Sequence, residues 1–360
     1  MTTAAALPER SDFAGVLRRR MDAYVLSRGR SGGRSSMMAT KIIVGLTSSV
    51  ATYAALYVFA LTDVQFFLVY VLHGVTQLFL LLNVAHDSAH NAVSRNRFVN
   101  RTLALVFDVF GISSYMWRIL HNGGHHSNIN IVRADEDVLA RGFLRLSPHV
   151  RRNPLHAYQH VYAWLLYGFS NLEYFLVKDF EYFFFSDYPQ ARRTKHPIGA
   201  YAALFGGKLF YFSSMIVLPI LLLHRSPLLV IAAFVTGNIV IGLSAQLIFQ
   251  TTHVISTSYF PKSRDEFDNY VHHILATTAD YATESVLALW LFGGLNHHVA
   301  HHLRPDVCHT HYPELSKIVK ETATEYGVAY RVNATLGQAL VLHFRLLKQQ
   351  GAAAYAAPTA

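Results

Sequence analysis

Four long apolar runs dominate the pattern of hydrophobic and polar positions along this chain. Each is close to the ~20 residues that a helix needs to cross about 30 Å of hydrocarbon. The runs cover about Ile42 to Leu61, Val64 to Ala85, Leu204 to Leu223 and Leu228 to Ile248. Very short polar loops join the first run to the second and the third run to the fourth. The pattern therefore predicts an all-α integral membrane protein with four transmembrane helices in two hairpins.

The distribution of basic residues predicts the orientation of these hairpins. Positive residues beside membrane spans favour the cytoplasmic side. Before the first run the chain carries Arg10, Arg18, Arg19, Arg20, Arg28, Arg30, Arg34 and Lys41. The two short hairpin loops contribute only Arg225. Both termini and the polar segment of about residues 86 to 200 are therefore predicted to lie on the cytoplasmic side, in a helical cap.

Outside the spans, composition predicts one membrane domain with a tail at each end. Residues 1–36 are predicted to be a flexible basic cytoplasmic tail, with a short amphipathic helix around Phe13 to Leu26. Residues 37–350 form the membrane domain, and residues 351–360 form the second tail. The segment from Phe98 to Leu120 carries two arginines and an aspartate, so we expect it to dip into the membrane interface rather than cross.

The overall composition supports a membrane protein and narrows its partners. The chain is 52% hydrophobic and 15% charged, with a net charge of +9 and 21 histidines. The charge fits contact with anionic lipid or with an acidic protein. Nucleic acid is not an expected partner, because the basic residues flank a membrane span and no nucleic-acid-binding motif accompanies them. The single cysteine, Cys308, excludes an internal disulfide bond.

Nine of the histidines occur in groups that the predicted topology places on one side of the membrane. The motifs are "HDSAH", "HNGGHH" and "HVAHH", with one further histidine at the end of the fourth run. The residues are His86, His90, His121, His125, His126, His253, His298, His301 and His302. Residues four apart share one face of a helix, so each motif could hold a metal ion. Nine imidazoles exceed the four ligands of one tetrahedral zinc, and imidazole also suits iron, copper and nickel. The motifs therefore predict a two-metal site without selecting the metal.

Over about residues 40 to 350, the chain resembles the integral-membrane fatty acid desaturases. These enzymes carry the pattern HxxxH, HxxxHH and HxxHH. Within the family, "AHDSAHNAVSRNRFVN" and "GGLNHHVAHHLRPDVCHTHYPELSKIVKE" resemble the bacterial linoleoyl-CoA-desaturase-like, or front-end, subgroup. The third motif has His298 and Ala300 where front-end enzymes often have glutamine and an acidic residue. This motif therefore does not by itself indicate desaturation near the carboxyl end.

The resemblance implies two iron ions held by the nine histidines, with His253 as the additional ligand near the end of the fourth span. Polar neighbours would orient the ligand imidazoles through their free N–H groups or through water. The candidates are Asp87, Asn128, Asp135, Glu136, Asp137, Gln250 and Asn296. A relative of the stearoyl-CoA type uses an asparagine where this chain has Phe249, so Gln250 and Asn296 are considered in its place.

The resemblance also implies O2-dependent desaturation of an acyl chain carried on CoA, carrier protein or lipid. The two electrons would come from ferredoxin or a similar donor with its reductase, in the bacterial cytoplasmic membrane. An acidic donor would suit a basic surface formed by Lys262, Arg264, Arg304, Lys317 and Lys320. The same scaffold could instead act as a hydroxylase or an acetylenase. A zinc-dependent hydrolase or metal transporter is the alternative from another class.

Overall fold

The computed structural model describes residues 12–28, 36–138, 142–185, 188, 191 and 195–352. Helices account for most of the described chain. In chain order they are α1 (Phe13–Arg28), α2 (Ser36–Val58), α3 (Asp63–Ala89), α4 (Arg97–Val109), α5 (Ser114–His125), α6 (Gln159–Glu173), α7 (Asp179–Phe184), α8 (Ile198–Leu222), α9 (Pro227–His253), α10 (Tyr270–Thr277), α11 (Val286–Leu291), α12 (His298–Leu303), α13 (Tyr312–Glu325) and α14 (Leu336–Gly351). Two short parallel strands, β1 (Asp280–Tyr281) and β2 (Val332–Asn333), pair Asp280 with Val332.

Four of the described helices, α2, α3, α8 and α9, are long and apolar enough to cross a membrane. They coincide with the four predicted runs and form two hairpins, so this prediction is confirmed. The helices α4 and α5 are bent by 116° relative to each other. This bend excludes a straight crossing by the segment that was predicted to dip into the interface.

Glycines allow the transmembrane helix α9 to approach its neighbours closely. A Cβ atom added to Gly242 would lie 2.6 Å from the carbonyl oxygen of Gly168 in α6. A Cβ atom on Gly74 in α3 would lie 3.3 Å from the carbonyl oxygen of Gly237. Small residues favour such close helix packing in membranes, where the lipid tails are as apolar as the side chains. The helix α9 is thereby held between α3 and α6, and its last residue, His253, reaches the histidine-rich region.

Short π-helical turns occur where two of the histidine motifs begin. One covers Leu81–Ala85, immediately before His86, and another covers Ile119–His125. In the second turn the backbone N–H of His126 donates to the carbonyl of His121, five residues earlier. Such turns rotate the following side chains relative to a regular α-helix and are frequent at functional sites. The directions of the histidines therefore differ from those expected of regular helices.

The described part of the predicted N-terminal tail is a packed helix, which corrects the expectation of a flexible segment for residues 12–28. Phe13, Leu17, Met21 and Val25 repeat every four residues and are buried in one cluster with side chains of α13. Burial of this apolar stripe stabilises the helix against α13, so the helix is packed rather than flexible. The amphipathic helix predicted here is present. Residues 1–11, 29–35 and 353–360 lie outside the described part of the chain.

Candidate metal centre

Four histidines from three motifs converge on one point, which we call the first cluster. They are His86, His90, His121 and His301, and each offers a ring nitrogen within 4.8 Å of the others. The ring centroids of His86 and His301 are 4.7 Å apart, although these residues are distant in sequence. The end of α3, the π turn of α5 and the helix α12 therefore meet here.

A second cluster lies beside the first and contains His125, His253, His298 and His302. Their ring nitrogens also lie within 4.8 Å of one another, and all four side chains are buried. The two clusters do not correspond to single motifs. The second and third motifs each contribute to both clusters, because the packing angles of the helices direct neighbouring histidines to different points.

His126 lies between the two clusters. Its Nε2 atom is 3.1 Å from Nε2 of His121 in the first cluster. Its ring centroid is 4.4 Å from that of His302 in the second cluster. The structure thus brings all nine predicted histidines together, with eight in two groups and one between them.

The unpaired ring nitrogens fit two bound cations. Among the described residues, the buried Nε2 atoms of His86, His90, His298 and His301 have no hydrogen-bond partner. Buried polar atoms are normally paired, because an unpaired one loses its interaction with water without compensation. Nε2 of His302 also faces Nε2 of His253 at 3.0 Å. Several ring nitrogens close to one another are compatible with metal binding, and tetrahedral nitrogen coordination needs about four of them.

The opposite ring nitrogens are anchored, which directs Nε2 into the clusters. Nδ1 of His125 donates to Asp135 at 3.0 Å and lies 3.2 Å from Asp137. Nδ1 of His298 donates to the carbonyl of Leu295 at 3.1 Å, and Nδ1 of His253 lies 3.3 Å from the carbonyl of Thr277. Hydrogen bonds of this kind hold both the tautomer and the ring orientation of a metal-binding histidine.

Tyr312 orients a histidine and was missed by the sequence interpretation. Nδ1 of His301 donates to its hydroxyl oxygen at 3.0 Å, and the Tyr312 side chain is buried. The only sequence signal is its position in "HTHY" shortly after the third motif, and a neutral tyrosine at the start of an amphipathic helix resembles a core residue. Tyr312 therefore supports the first cluster as Asp135 supports the second.

Burial sets the charge of four histidines outside the membrane spans. It lowers the pKa of His126, His298, His301 and His302 well below the ordinary value, and the positive charge of neighbouring imidazolium groups lowers it further. These side chains are therefore neutral at physiological pH. The neutral imidazole is the form that binds a metal ion.

A buried hydrogen-bond network lies beside the first cluster. The ammonium of Lys41, which is fully buried, donates to the side-chain oxygen of Asn83 and to Nε2 of His309, both at 2.8 Å. Nδ1 of His309 donates in turn to Asp87 at 2.8 Å. Asp87 is 3.6 Å from Nδ1 of His86. From the sequence, Lys41 indicates only the orientation of the hairpins in the membrane, because its position beside a span does not predict these hydrogen-bond partners.

The other predicted neighbours have different contacts. Asn128 donates to the carbonyl of Gly124 and accepts from Arg264. Asn296 donates to the carbonyl of Ala282. Gln250 donates to Gln246 and lines the wall of a cavity. None of these hydrogen bonds joins Asn128, Asn296 or Gln250 to one of the nine histidine rings. Glu136 is buried and pairs with Lys178 at 3.3 Å.

Two cavities adjoin the histidines. The inner cavity has a volume of about 140 Å³, and its wall includes His86, His121 and His125 together with apolar side chains. The outer cavity has a volume of about 400 Å³ and is lined by exposed residues such as Phe143 and Phe169. The histidines are therefore next to an apolar space that reaches toward the protein surface.

Comparison with known proteins identifies a family with this combination of features. A sequence profile of the fatty acid desaturase family matches residues 35–334. The sn-1 linoleoyl-lipid 6-desaturase of Synechocystis sp. (strain ATCC 27184 / PCC 6803 / Kazusa) is 31% identical over 350 residues, which cover 96% of this chain and 97% of that protein. The acyl-lipid (8-3)-desaturase B of Dictyostelium discoideum is 30% identical over 362 residues, covering 95% of this chain and 76% of that protein.

A second cyanobacterial relative supports the same subgroup. The sn-1 linoleoyl-lipid 6-desaturase of Arthrospira platensis is 31% identical over 270 residues, which cover 74% of this chain and 73% of that protein. The profile match, these relatives, the four apolar spans and the clustered histidines all agree. The chain therefore belongs to the fatty acid desaturase family, in the subgroup of linoleoyl-lipid and front-end desaturases, and is an integral-membrane oxidoreductase of acyl chains.

Proposed function

We propose that the protein introduces a double bond into the acyl chain of a membrane lipid, using O2, two iron ions and two electrons from an external carrier. The observation that carries the proposal is the pair of histidine clusters, in which the buried Nε2 atoms of His86, His90, His298 and His301 have no hydrogen-bond partner among the described residues. Bound iron would supply the redox chemistry that unactivated CH2 groups require, which no side chain can perform alone. The nine predicted histidines are the proposed ligands.

The residues around the clusters hold the ligands and exclude water. Asp135 and Asp137 fix the orientation of His125 in the second cluster, and Tyr312 fixes that of His301 in the first. The apolar wall of the inner cavity, which includes Leu78 and Ile241, would position the acyl chain beside the histidines. Positioning matters here because the CH2 groups of an acyl chain differ only in their distance from its polar end.

A membrane lipid is the acyl carrier that the cavity favours. Among the described residues that line the outer cavity, Lys178 is the only basic one, and it is paired with Glu136. The phosphates of CoA would need several cationic partners. The relatives named above are described as acting on acyl lipids. These observations support a lipid ester over a CoA thioester or a carrier-protein thioester.

We also propose that the histidine centre and both termini face the cytoplasm of a bacterial cell. The two hairpin loops lie together, since Arg225 in one loop pairs with Asp63 at the end of the other at 2.7 Å. Basic residues flank the opposite ends of the spans. Cys308 is the sole cysteine and is fully buried, so single cysteines introduced by Ser226→Cys and Lys262→Cys can be labelled selectively. A membrane-impermeant maleimide should label intact cells carrying Ser226→Cys only.

The electron donor would dock on the cytoplasmic surface. Of the five predicted basic residues, Lys262, Arg264, Lys317 and Lys320 are exposed, and Arg264 donates to the side-chain oxygen of Asn128. Arg304 pairs with Asp22 and Asp306, so we infer that the lysines are the main contacts for an acidic ferredoxin. Reversing the charge of Lys317 and Lys320 should raise the KM for ferredoxin. It should also weaken the dependence of this KM on salt concentration, because exposed interface charges act mainly on the rate of association.

Product analysis and metal analysis test the function together. The protein would be expressed with ferredoxin and its reductase, and the lipids analysed by mass spectrometry with double-bond localisation. We expect loss of two hydrogens per acyl chain, dependence on O2 and about two irons per chain. Gain of one oxygen would instead indicate a hydroxylase, and loss of four hydrogens an acetylenase. One zinc with no O2 dependence would refute the proposal.

A matched pair of histidine variants localises the activity. His301→Ala removes a proposed ligand and should abolish desaturation while leaving the protein in the membrane. His224→Asn changes an exposed histidine in a hairpin loop, where the backbone φ of 51° is tolerated by asparagine. This control should retain full activity. An active His301→Ala enzyme would contradict the ligand assignment.

A further inference from the structure

A polar boundary separates the two cavities beside the metal centre. The described residues that line both cavities are Glu136, Asp137, Ser170, Tyr174, Lys178, Gln246 and Gln250. On one side of this boundary the inner cavity reaches the histidines. On the other side the outer cavity is lined by Phe143, Phe169 and Val177, whose side chains are exposed at the surface. A substrate that extends from the surface to the histidines must pass this boundary.

Two side chains at the boundary have more N–H donors than hydrogen bonds to described residues. The ammonium of Lys178 carries three protons, and its one hydrogen bond to a described residue goes to Glu136 at 3.3 Å. The side-chain oxygen of Gln246 accepts from Gln250 at 3.0 Å, while its own NH2 group donates to no described residue. Unused donors beside an apolar cavity are suited to a ligand that presents an oxygen acceptor.

The charge of Lys178 is maintained in this setting. Burial lowers the pKa of Lys178, but the negative charge of Glu136 and other nearby carboxylates raises it by more, so the pKa lies above its ordinary value. The side chain therefore remains an ammonium group. A charged donor forms a stronger hydrogen bond to a carbonyl oxygen than a neutral one.

We propose that Lys178 and Gln246 bind the carbonyl oxygen of the substrate's acyl ester and thereby set which carbons meet the metal centre. This inference rests on the proposed function. The carbonyl is the acceptor that every acyl ester presents at one end of its apolar chain. With the carbonyl held at the boundary, the chain enters the inner cavity and the rest of the lipid stays in the outer one.

The boundary lies close to the histidines, so a carbonyl held there limits which carbons of the acyl chain can reach the metal centre. Lys178 pairs with Glu136, and the next residue, Asp137, is 3.2 Å from Nδ1 of His125. A carbonyl held by Lys178 is therefore only a short stretch of acyl chain from the second cluster. Beyond the carbonyl, the acyl chain lies against apolar residues of the inner cavity such as Phe107 and Ile112.

The test compares an ester with an ether. The probes are a spin-labelled phosphatidylcholine with ester-linked chains and its ether-linked counterpart, which lacks the carbonyl oxygen. Both bind to the full-length protein in detergent, and no turnover is needed. We expect the wild type to bind the ester about tenfold or more tightly than the ether, as the loss of a hydrogen bond to a charged donor predicts.

The variants avoid leaving a buried charge unpaired. Lys178→Met alone would leave the Glu136 carboxylate without its partner, so the informative pair is Glu136→Gln and the double variant Lys178→Met/Glu136→Gln. The double variant should lose the preference for the ester and, in active membranes, produce a mixture of double-bond positions. Gln246→Leu, which keeps the ion pair, should show the same changes to a smaller extent.

The outcomes separate this inference from the proposed function. Equal binding of ester and ether by the wild type overturns the inference, and so does an unchanged ester preference in the double variant. If the wild type shows the ester preference but forms no double bond under any condition, the carbonyl site stands and the proposed function fails. If desaturation proceeds with one positional product in every variant, the function stands and the carbonyl site is wrong.

Discussion

Asp135→Asn tests whether the second histidine cluster holds a metal ion that depends on the orientation of His125. The Asp135 carboxylate is fully buried and accepts a hydrogen bond from Nδ1 of His125 at 3.0 Å. It also accepts from the backbone N–H groups of Asn130 at 2.9 Å and Asp137 at 3.0 Å. Asparagine preserves the size of the side chain but replaces one accepting oxygen by an NH2 group and removes the negative charge.

The expected loss of iron affinity depends on how many hydrogen-bond partners of His125 remain. Loss of a residue that orients a metal-binding histidine costs about 10- to 100-fold in metal affinity, and each tenfold corresponds to about 1.4 kcal/mol. Asp137 lies 3.2 Å from the same Nδ1 atom and can replace part of the lost interaction. We therefore expect about a tenfold loss for Asp135→Asn and about a 100-fold loss for Asp135→Asn/Asp137→Asn.

Competition with an iron chelator measures these changes directly. The iron content of each variant would be followed at rising chelator concentration, and thermal unfolding would verify that the protein remains folded. The control is Asp265→Asn, an exposed acidic residue outside the centre. We expect iron to fall from about two toward about one per chain, since only the second cluster is affected. Iron retention identical to that of the control in both variants would refute the reasoning.

Three further substitutions test other parts of the structure. Tyr312→Phe removes the hydrogen-bond acceptor of His301 and should weaken iron binding about tenfold at the first cluster alone, as measured by the same chelator assay. Lys41→Met leaves the buried acceptors of Asn83 and His309 without a donor, so it should destabilise the protein by about 1–3 kcal/mol or more. An unchanged melting temperature would contradict that network. Gly242→Ala places a methyl group against the backbone of α6 and should cost about 1–3 kcal/mol in the same thermal assay. Gly206→Ala, which meets no atom within 4 Å, is its control.

Sequence patterns predicted the membrane spans because the signal is local. A run of about 20 apolar residues has few alternatives to a transmembrane helix, and all four predicted runs agree with helices of the structure. The histidine spacing likewise selected nine residues that the structure places together. The packed helix at Phe13–Arg28 shows the limit of this reasoning, since composition indicated a flexible tail while the four-residue apolar repeat decided its docking.

By itself, then, the sequence determined an all-α membrane protein whose histidine motifs gather at one end of the spans, since both properties follow from periodicity and spacing. Only the tertiary structure decided that His121 and His125 belong to different clusters, because a π turn and the crossing of helices set the direction of each ring. It also decided the roles of Tyr312 and Lys41. Their partners lie on separate elements, and a contact between distant elements cannot be inferred from the periodicity of the sequence.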